Sequence, residues 1–243
     1  MNATPRRALV TGASGEIGAA ICRRLTSAGH FVYVHANQNR AAAEALVAEL
    51  NGTTRCSEAL AFDVTDASAT CAALEPLVAD LPIQILVNNA GLHDDAAFPG
   101  MSSRQWHRVM DVTVDGFFNV TQPLSMPMIR SRWGRIINMS SVAALIGNRG
   151  QVNYAAAKGA LNAATRSLAL ELASRSITVN AVAPGIIAGR MTEQSFDAEA
   201  IARLVPMKRA GLPHEVASLV GYLASDEAAY ITGQIISING GII

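Results

Sequence analysis

The stretch Ala8-Leu9-Val10-Thr11-Gly12-Ala13-Ser14-Gly15-Glu16-Ile17-Gly18 decides how this chain is read. A short apolar run ends in a glycine-rich turn. From residue 17 to 28 the apolar positions then recur at helical spacing, up to Gly29, the expected C-terminal cap. Strand, glycine-rich turn and helix in that order make an anion site. The glycines let the backbone turn sharply and approach a pyrophosphate, and the helix N-terminus offers unpaired N–H groups and a partial positive charge. A glycine-rich string alone is weak evidence; its place between strand and helix makes it specific. Gly12, Ser14, Gly15, Ile17 and Gly18 are the expected contacts to a dinucleotide.

Outward from this turn, strand-like and helix-like stretches alternate to the end of the chain. Strands are expected at 31–34, 60–62, 83–87, 135–139, 178–182 and 234–238. Helices are expected at 41–50, 68–79, 103–131, 153–173 and 213–224, the third of them bent near Pro123 and Pro127. Such alternation predicts an α/β fold: one Rossmann domain over 1–243 with a doubly wound parallel sheet of about seven strands. The irregular stretch 186–207 follows a strand's C-terminal end, where ligands bind in such sheets, and is read as a substrate lid.

Half of the 243 residues are apolar and 16% are charged, which suits a sheet covered on both faces. Lys+Arg and Asp+Glu are equal at 19 each, so no overall field favours nucleic acid or an acidic membrane. No apolar run is long enough to span a bilayer and no secretory segment is recognised, so the cytoplasm is expected. Cys22, Cys56 and Cys71 have no metal-ligand spacing; no metal is expected, and small buried thiols are the plain reading.

The end of the second strand chooses the dinucleotide. Where NAD-binding sheets carry an acid for the ribose 2′-hydroxyl, this chain reads His35-Ala36-Asn37-Gln38-Asn39-Arg40, with no acid and one base. That favours NADPH, with Asn37 and Arg40 as candidate contacts to a 2′-phosphate. Further on, Tyr154 and Lys158 stand at i and i+4, on one face of a helix. A free tyrosine has a pKa of about 10, and a nearby ammonium is expected to lower it. Tyr154 then serves as the acid that protonates a developing alkoxide, Lys158 holds nicotinamide ribose hydroxyls, and Ser141 at the preceding strand end hydrogen-bonds the carbonyl oxygen.

The combination of the glycine-rich turn, Val87-Asn-Asn-Ala-Gly91, Ser141, Asn148-Arg-Gly-Gln-Val-Asn-Tyr-Ala-Ala-Ala-Lys158, Ser174-Arg-Ser-Ile-Thr-Val-Asn180, Pro184-Gly185, Tyr230-Ile-Thr-Gly-Gln234 and Asn239-Gly-Gly241 resembles the short-chain dehydrogenase/reductase family over essentially the whole chain. Within it the chain is most similar to the β-ketoacyl-carrier-protein reductases, with a further similarity to ketoreductases of polyketide synthases that make aryl polyene pigments. The resemblance implies reduction of a 3-oxoacyl thioester, carried by acyl carrier protein, to the 3-hydroxyacyl product. It selects Ser141 over Ser140 as the catalytic serine. It places Asp63 and Val64 against the adenine, Asn89, Ala90 and Gly91 along the cofactor, and Pro184, Gly185 and Ile187 at its nicotinamide end. It implies a homotetramer built through the two long helices and the last strand, and it makes Arg132 and Arg175 the docking residues for the acidic carrier, the alternative being solvated charges at helix ends.

Three positions depart from the family pattern. Glu16 stands where the loop's second glycine is usual. Thr113 stands where a fourth catalytic residue, an asparagine in the long helix, is usual; its hydroxyl is the candidate substitute. Gly189 stands where a threonine after Pro-Gly holds the cofactor, with Thr192 as a partial replacement. His93, Asp94 and Asp95 border the expected substrate mouth or are plain loop polarity, and His107 is read as structural. Two rivals stay open: a reductase of a small ketone without a carrier protein, and a non-catalytic dinucleotide-binding scaffold.

Overall fold

Strand β1 (Arg7–Val10) sits at the centre of the order β3-β2-β1-β4-β5-β6-β7, a seven-stranded sheet in which every pairing is parallel. The computed structural model describes residues 5–79, 81–189, 192 and 197–243. The other strands are β2 (Phe31–Ala36), β3 (Ser57–Ala61), β4 (Ile85–Asn88), β5 (Gly134–Met139), β6 (Ile177–Pro184) and β7 (Ile235–Ile238). The chain reverses its direction of travel across the sheet between β1 and β4. The crevice that opens at such a point, beyond the strands' C-terminal ends, is where ligands bind.

Alternation along the strands makes two cores. Ala8, Val10, Val32, Val34, Ile85, Val87, Ile137 and Val182 face helices α1 (Glu16–Ser27), α2 (Arg40–Asn51) and α9 (Pro213–Ala224). Leu9, Tyr33, Leu86, Ile136 and Val179 face α3 (Ala67–Val78), α5 (Gly116–Ser131) and α7 (Val152–Leu172). Successive side chains of a strand point to opposite faces, so each strand feeds both layers. Local capping starts the helices where the sequence changes character. Asn39 accepts from Ala42 N–H at α2, Asp66 from Ala69 N–H at α3, and Ser102 with Gln105 forms a capping box at α4 (Ser103–Met110).

Several expectations are corrected. The third strand lies earlier, at 57–61 rather than 60–62. The long helical stretch stays helical through Pro123 and Pro127, and its irregularity is a π-helical turn at Asp111–Asp115. Two short helices, α6 (Ala143–Ile146) and α8 (Ala198–Leu204), carry too few turns to show a period. The stretch 186–207 is only partly described: α8 lies within it, but residues 190, 191 and 193–196 fall outside the described residues. Of the three free cysteines, Cys22 is buried, and burial pushes its thiol up to about 12; Cys56 is partly buried and Cys71 is exposed, against the expectation for it. No helix among the described residues is long and apolar enough to cross a membrane.

Candidate active site

The phosphate turn is built by close approach. Gly12 has φ +62°, and a Cβ on it would stand 2.9 Å from Ala90 Cα. A Cβ on Gly18 would stand 2.7 Å from Gly12 O and 2.8 Å from Asn89 Nδ2. Only glycine fits either place. The turn is tied to the end of β4 by Thr11, whose Oγ1 accepts from Asn89 N–H (3.0 Å) and Ala90 N–H (2.9 Å). Asn89 Nδ2 donates in return to Thr11 O and Gly12 O. Asn88 points the other way, to Thr121 and Asn138, and Asn138 donates to Thr165 on α7. The two asparagines of Asn-Asn-Ala-Gly therefore brace the site.

His35 is a brace that the sequence reading missed. It is buried, and its Nδ1 accepts from Gly12 N–H (3.1 Å) while Nε2 lies 2.9 Å from Phe62 O. An acceptor at Nδ1 and a carbonyl at Nε2 require the neutral ring with its proton on Nε2. Burial holds its pKa below the usual value, which outweighs the pull of Phe62 O and Asp63 in the other direction. Nothing in one strand's sequence could signal this, because His35, Gly12 and Phe62 come from three different strand ends.

Two clefts meet at Gly12 and Gly91. The first, of about 660 Å3, is lined by Ser14, Asn37, Gln38, Asn39, Asp63, Val64 and Ala90, with Arg104, His107 and Arg108 of α4 on its far wall. The second, of about 320 Å3, runs from Gly15, Ile17 and Gly18 past Asn89 to Ser141, Tyr154, Lys158, Pro184, Gly185, Ile187 and Thr192. Nearly every expected cofactor residue lies on one of these walls. The exception is Arg40, whose guanidinium is turned along α2 into an ion pair with Glu44 at 2.7 Å. Asp63 accepts from Thr65 N–H and Oγ1, and these bonds, with the influence of Asn37, keep its carboxyl below the usual range although desolvation alone would raise it. His107, read as structural, is exposed on the cleft wall instead. A turn with no room for a side chain at Gly12 or Gly18, opening into two joined clefts, fits a dinucleotide.

Ser141, Tyr154 and Lys158 come together where β5 ends. Lys158 is almost wholly buried and its Nζ donates to Met139 O at 2.7 Å. Gly91 leaves it room: a Cβ there would stand 3.0 Å from Nζ, a tight contact. Asn153 sets the start of α7: its Nδ2 donates to Asp94 O and Gln105 O, and its Oδ1 accepts from Tyr154 N–H. Ser141, not the buried Ser140, acts on the Tyr154 phenol. Burial raises the Tyr154 phenol, ahead of the lowering by Ser141 and a further rise from Asp95. The expected lowering by Lys158 is not what dominates: Nζ sits 5.7 Å from the ring centroid, and burial pushes Lys158 itself down to about 8.

Thr113 lies in the π-helical turn, buried, and its Oγ1 has no hydrogen-bond partner among the described residues. His93 lines the cleft beside Ser141, whereas Asp94 and Asp95 are ties: Asp94 to Gln105 and Arg108, Asp95 to His93 and Gln151. Thr192 does face the cleft and its Oγ1 donates to Ile187 O. The motifs 174–180 and 230–234 turn out to join β6 to the last strand, through Asn180 Nδ2 to Ile231 O and Gln234 N–H to Asn180 Oδ1.

Arg132 and Arg175 are exposed and adjacent in space, with Arg132 donating to Ser174 O at 3.4 Å. They precede β5 and β6, so they lie at the strands' N-terminal edge. Ser141 and Pro184 lie at the opposite, C-terminal edge.

A family model described as enoyl-(acyl carrier protein) reductase matches residues 12–243. The chain is 43% identical over 239 residues to the 3-oxoacyl-[acyl-carrier-protein] reductase of Aggregatibacter actinomycetemcomitans, covering 96% of this chain and 98% of that one. It is 45% identical over 242 residues to nodulation protein G of Rhizobium sp. (strain N33), covering 98% and 97%. Against the 3-oxoacyl-[acyl-carrier-protein] reductase of Staphylococcus aureus (strain Mu50 / ATCC 700699) it is 42% identical over 240 residues, covering 98% of both.

Proposed function

The chain belongs to the short-chain dehydrogenase/reductase family, and we propose that it reduces a 3-oxoacyl thioester borne on acyl carrier protein to the 3-hydroxyacyl product, with NADPH, in fatty acid or polyketide biosynthesis. It is an oxidoreductase of the nicotinamide-dependent kind. The observation that carries the substrate is that Ser141 and Tyr154 line one cleft beside buried Lys158. Two hydroxyls on one cleft wall can both donate to a ketone oxygen that becomes an alkoxide. This favours a ketone over the carbon–carbon double bond that the matched family's description names.

Bound NADPH would supply the hydride. Tyr154, with its pKa raised by burial, holds its proton at neutral pH and donates it from the phenol to the developing alkoxide. Ser141 Oγ donates to the same oxygen as charge builds. Lys158 Nζ, anchored on Met139 O, would hold the nicotinamide ribose, and the unpartnered Thr113 Oγ1 would hold a water that passes protons onward. Asn37 and the absence of an acid from 35–40 support NADPH; Arg40 contributes only if it leaves Glu44.

The assembly proposed is a homotetramer. Phe118 and Met126 on α5 and Leu170 on α7 expose apolar side chains that a subunit interface would cover, Leu170 being 84% exposed. In it Arg132 and Arg175 would dock the carrier for a neighbouring subunit's entrance. The cytoplasm is the proposed location, where the free thiols stay reduced, and the stretch 186–207 is the proposed lid. The test is cofactor oxidation with 3-oxoacyl and 2-enoyl substrates, each carrier-bound, CoA-bound and free, with NADPH and NADH. The expected result is ketone reduction, fastest on the carrier, with kcat/KM at least about tenfold higher for NADPH, a difference of roughly 1.4 kcal/mol. Reduction of the enoyl substrates alone, or equal rates on free ketones, overturns it.

A further inference from the structure

The mechanism above gives His93 no part, although it lines the same cleft as Ser141 and Tyr154. Its loop is clamped on both sides. Asp94 O accepts from Asn153 Nδ2 at 2.9 Å, the Asp94 carboxylate accepts from Gln105 and Arg108, and Ala96 N–H donates to Gly150 O at 2.9 Å. The ring is oriented by Asp95, whose Oδ1 lies 3.2 Å from Nδ1. The other oxygen of Asp95 accepts from Gln151 Nε2 at 2.8 Å, and Gln151 Oε1 accepts from Asn148 Nδ2 at 2.9 Å. A carboxylate oxygen can only accept, so the neutral ring carries its proton on Nδ1 and a lone pair on Nε2. Among the described residues Nε2 has no hydrogen-bond partner, and the side chain is 35% exposed. The loop thus presents a fixed acceptor to a cleft whose catalytic hydroxyls donate.

An acceptor has nothing to bind at the reacting end of a 3-oxoacyl thioester, where the ketone and the thioester carbonyl both accept. The nearest N–H belongs to the arm that carries the acyl group: in a pantetheine thioester the first amide lies two carbons beyond the sulphur. We propose that His93 binds this arm: its Nε2, held as an acceptor by Asp95, receives the first amide N–H of a pantetheine-type thioester while Ser141 and Tyr154 hold the ketone. The inference rests on the thioester reading of the function above and narrows it to thioesters that carry a secondary amide, carrier-bound and CoA-bound alike. His93 touches no reacting atom, so it acts on substrate binding and not on the chemical step.

The test compares the 3-oxobutanoyl thioesters of N-acetylcysteamine and of 2-acetoxyethanethiol, in which an ester oxygen takes the place of the amide N–H. With NADPH, the wild type should show a KM about three- to tenfold lower for the amide at equal kcat, the span of one neutral hydrogen bond. His93→Phe should remove that preference by raising KM for the amide. His93→Gln, whose Oε1 can stand in for Nε2, should keep part of it. No preference in the wild type, a preference that survives His93→Phe, or one that lies in kcat and not in KM overturns the inference alone. A second measurement needs no turnover. Side-chain nitrogen-15 NMR of the protein without cofactor, with His93 assigned by its loss in His93→Phe, should show the proton on Nδ1 in mildly alkaline buffer. Adding the 3-hydroxybutanoyl N-acetylcysteamine thioester should move the Nε2 resonance, and the acetoxyethyl analogue should not. A proton on Nε2, or equal shifts with both, again overturns the inference alone. If the amide alone moves the resonance but neither 3-oxobutanoyl thioester is reduced, the proposed function falls and the arm site stands.

Discussion

At the scale of single residues, burial and not charge pairing sets the chemistry. Tyr154→Phe removes one hydroxyl and almost no volume. It should fold and bind cofactor normally and lose about two orders of magnitude or more in turnover. Wild-type rates in a folded variant would remove Tyr154 from the mechanism. Lys158 makes a different prediction, because burial holds its pKa near 8 against 10.5 when unfolded. Below pH 8 both states carry the proton and the folded state bears the cost of the buried charge. Between pH 8 and 10.5 the unfolded state binds more protons, so stability rises with pH. Relative to Lys158→Met, which has no such proton, the wild type should gain up to about 3 kcal/mol across that window. Chemical denaturation of both proteins at a series of pH values measures it, and parallel stability curves would refute it. The i, i+4 spacing of Tyr154 and Lys158 is legible in the sequence. The direction of their pKa shifts is not, because it depends on what buries them.

Among the elements, the phosphate turn holds its shape through partners outside itself. His35→Leu leaves Gly12 N–H and Phe62 O without their partners and should cost about 1–3 kcal/mol of stability near neutral pH. Cofactor affinity should fall with it, since Gly12 is the pivot of the turn. The sign with pH follows from the neutral ring. Below about 6.5 the unfolded histidine takes up a proton that the folded one resists, so the wild type loses this advantage and the gap to His35→Leu narrows as pH falls. A gap that widens in acid would show that the ring is held protonated. The glycines of the turn could be read from the sequence because their spacing is local. His35, Asn138 and Thr165 could not, since each acts through elements far away in the chain.

For the whole molecule, the sheet separates the two sets of functional residues. Catalytic candidates cluster at the strands' C-terminal edge and the Arg132/Arg175 pair at the N-terminal edge, so a carrier docked on these arginines, as proposed, would have to deliver its substrate to another subunit. Net charge is zero, and attraction for an acidic carrier must come from a local patch such as this one. Arg132→Glu with Arg175→Glu should raise KM for a carrier-bound substrate strongly and leave a small free ketone unaffected. High salt should act on the wild type in the same selective way. Equal losses on both substrates would make the arginines structural, and no loss on either would remove the main support for carrier docking. Sedimentation of the purified protein should give four copies; a stable monomer would leave the arginines with no neighbouring entrance to serve.

Local spacing and periodicity determined much of this protein from its sequence alone: the alternating elements, the glycine-rich turn, the Tyr154/Lys158 pair and the missing acid after β2. Each of these is a relation among residues close in the chain, fixed by 3.6- and 2-residue repeats and by backbone freedom at glycine. The tertiary structure decided the rest. It turned Arg40 away to Glu44, put Arg132 and Arg175 at the far edge, seated His35 beneath the phosphate turn and brought Glu16 against Gly189. These are relations between strand ends and loops distant in sequence, set by sheet order and by which side chain fills which space, and no local pattern carries that information.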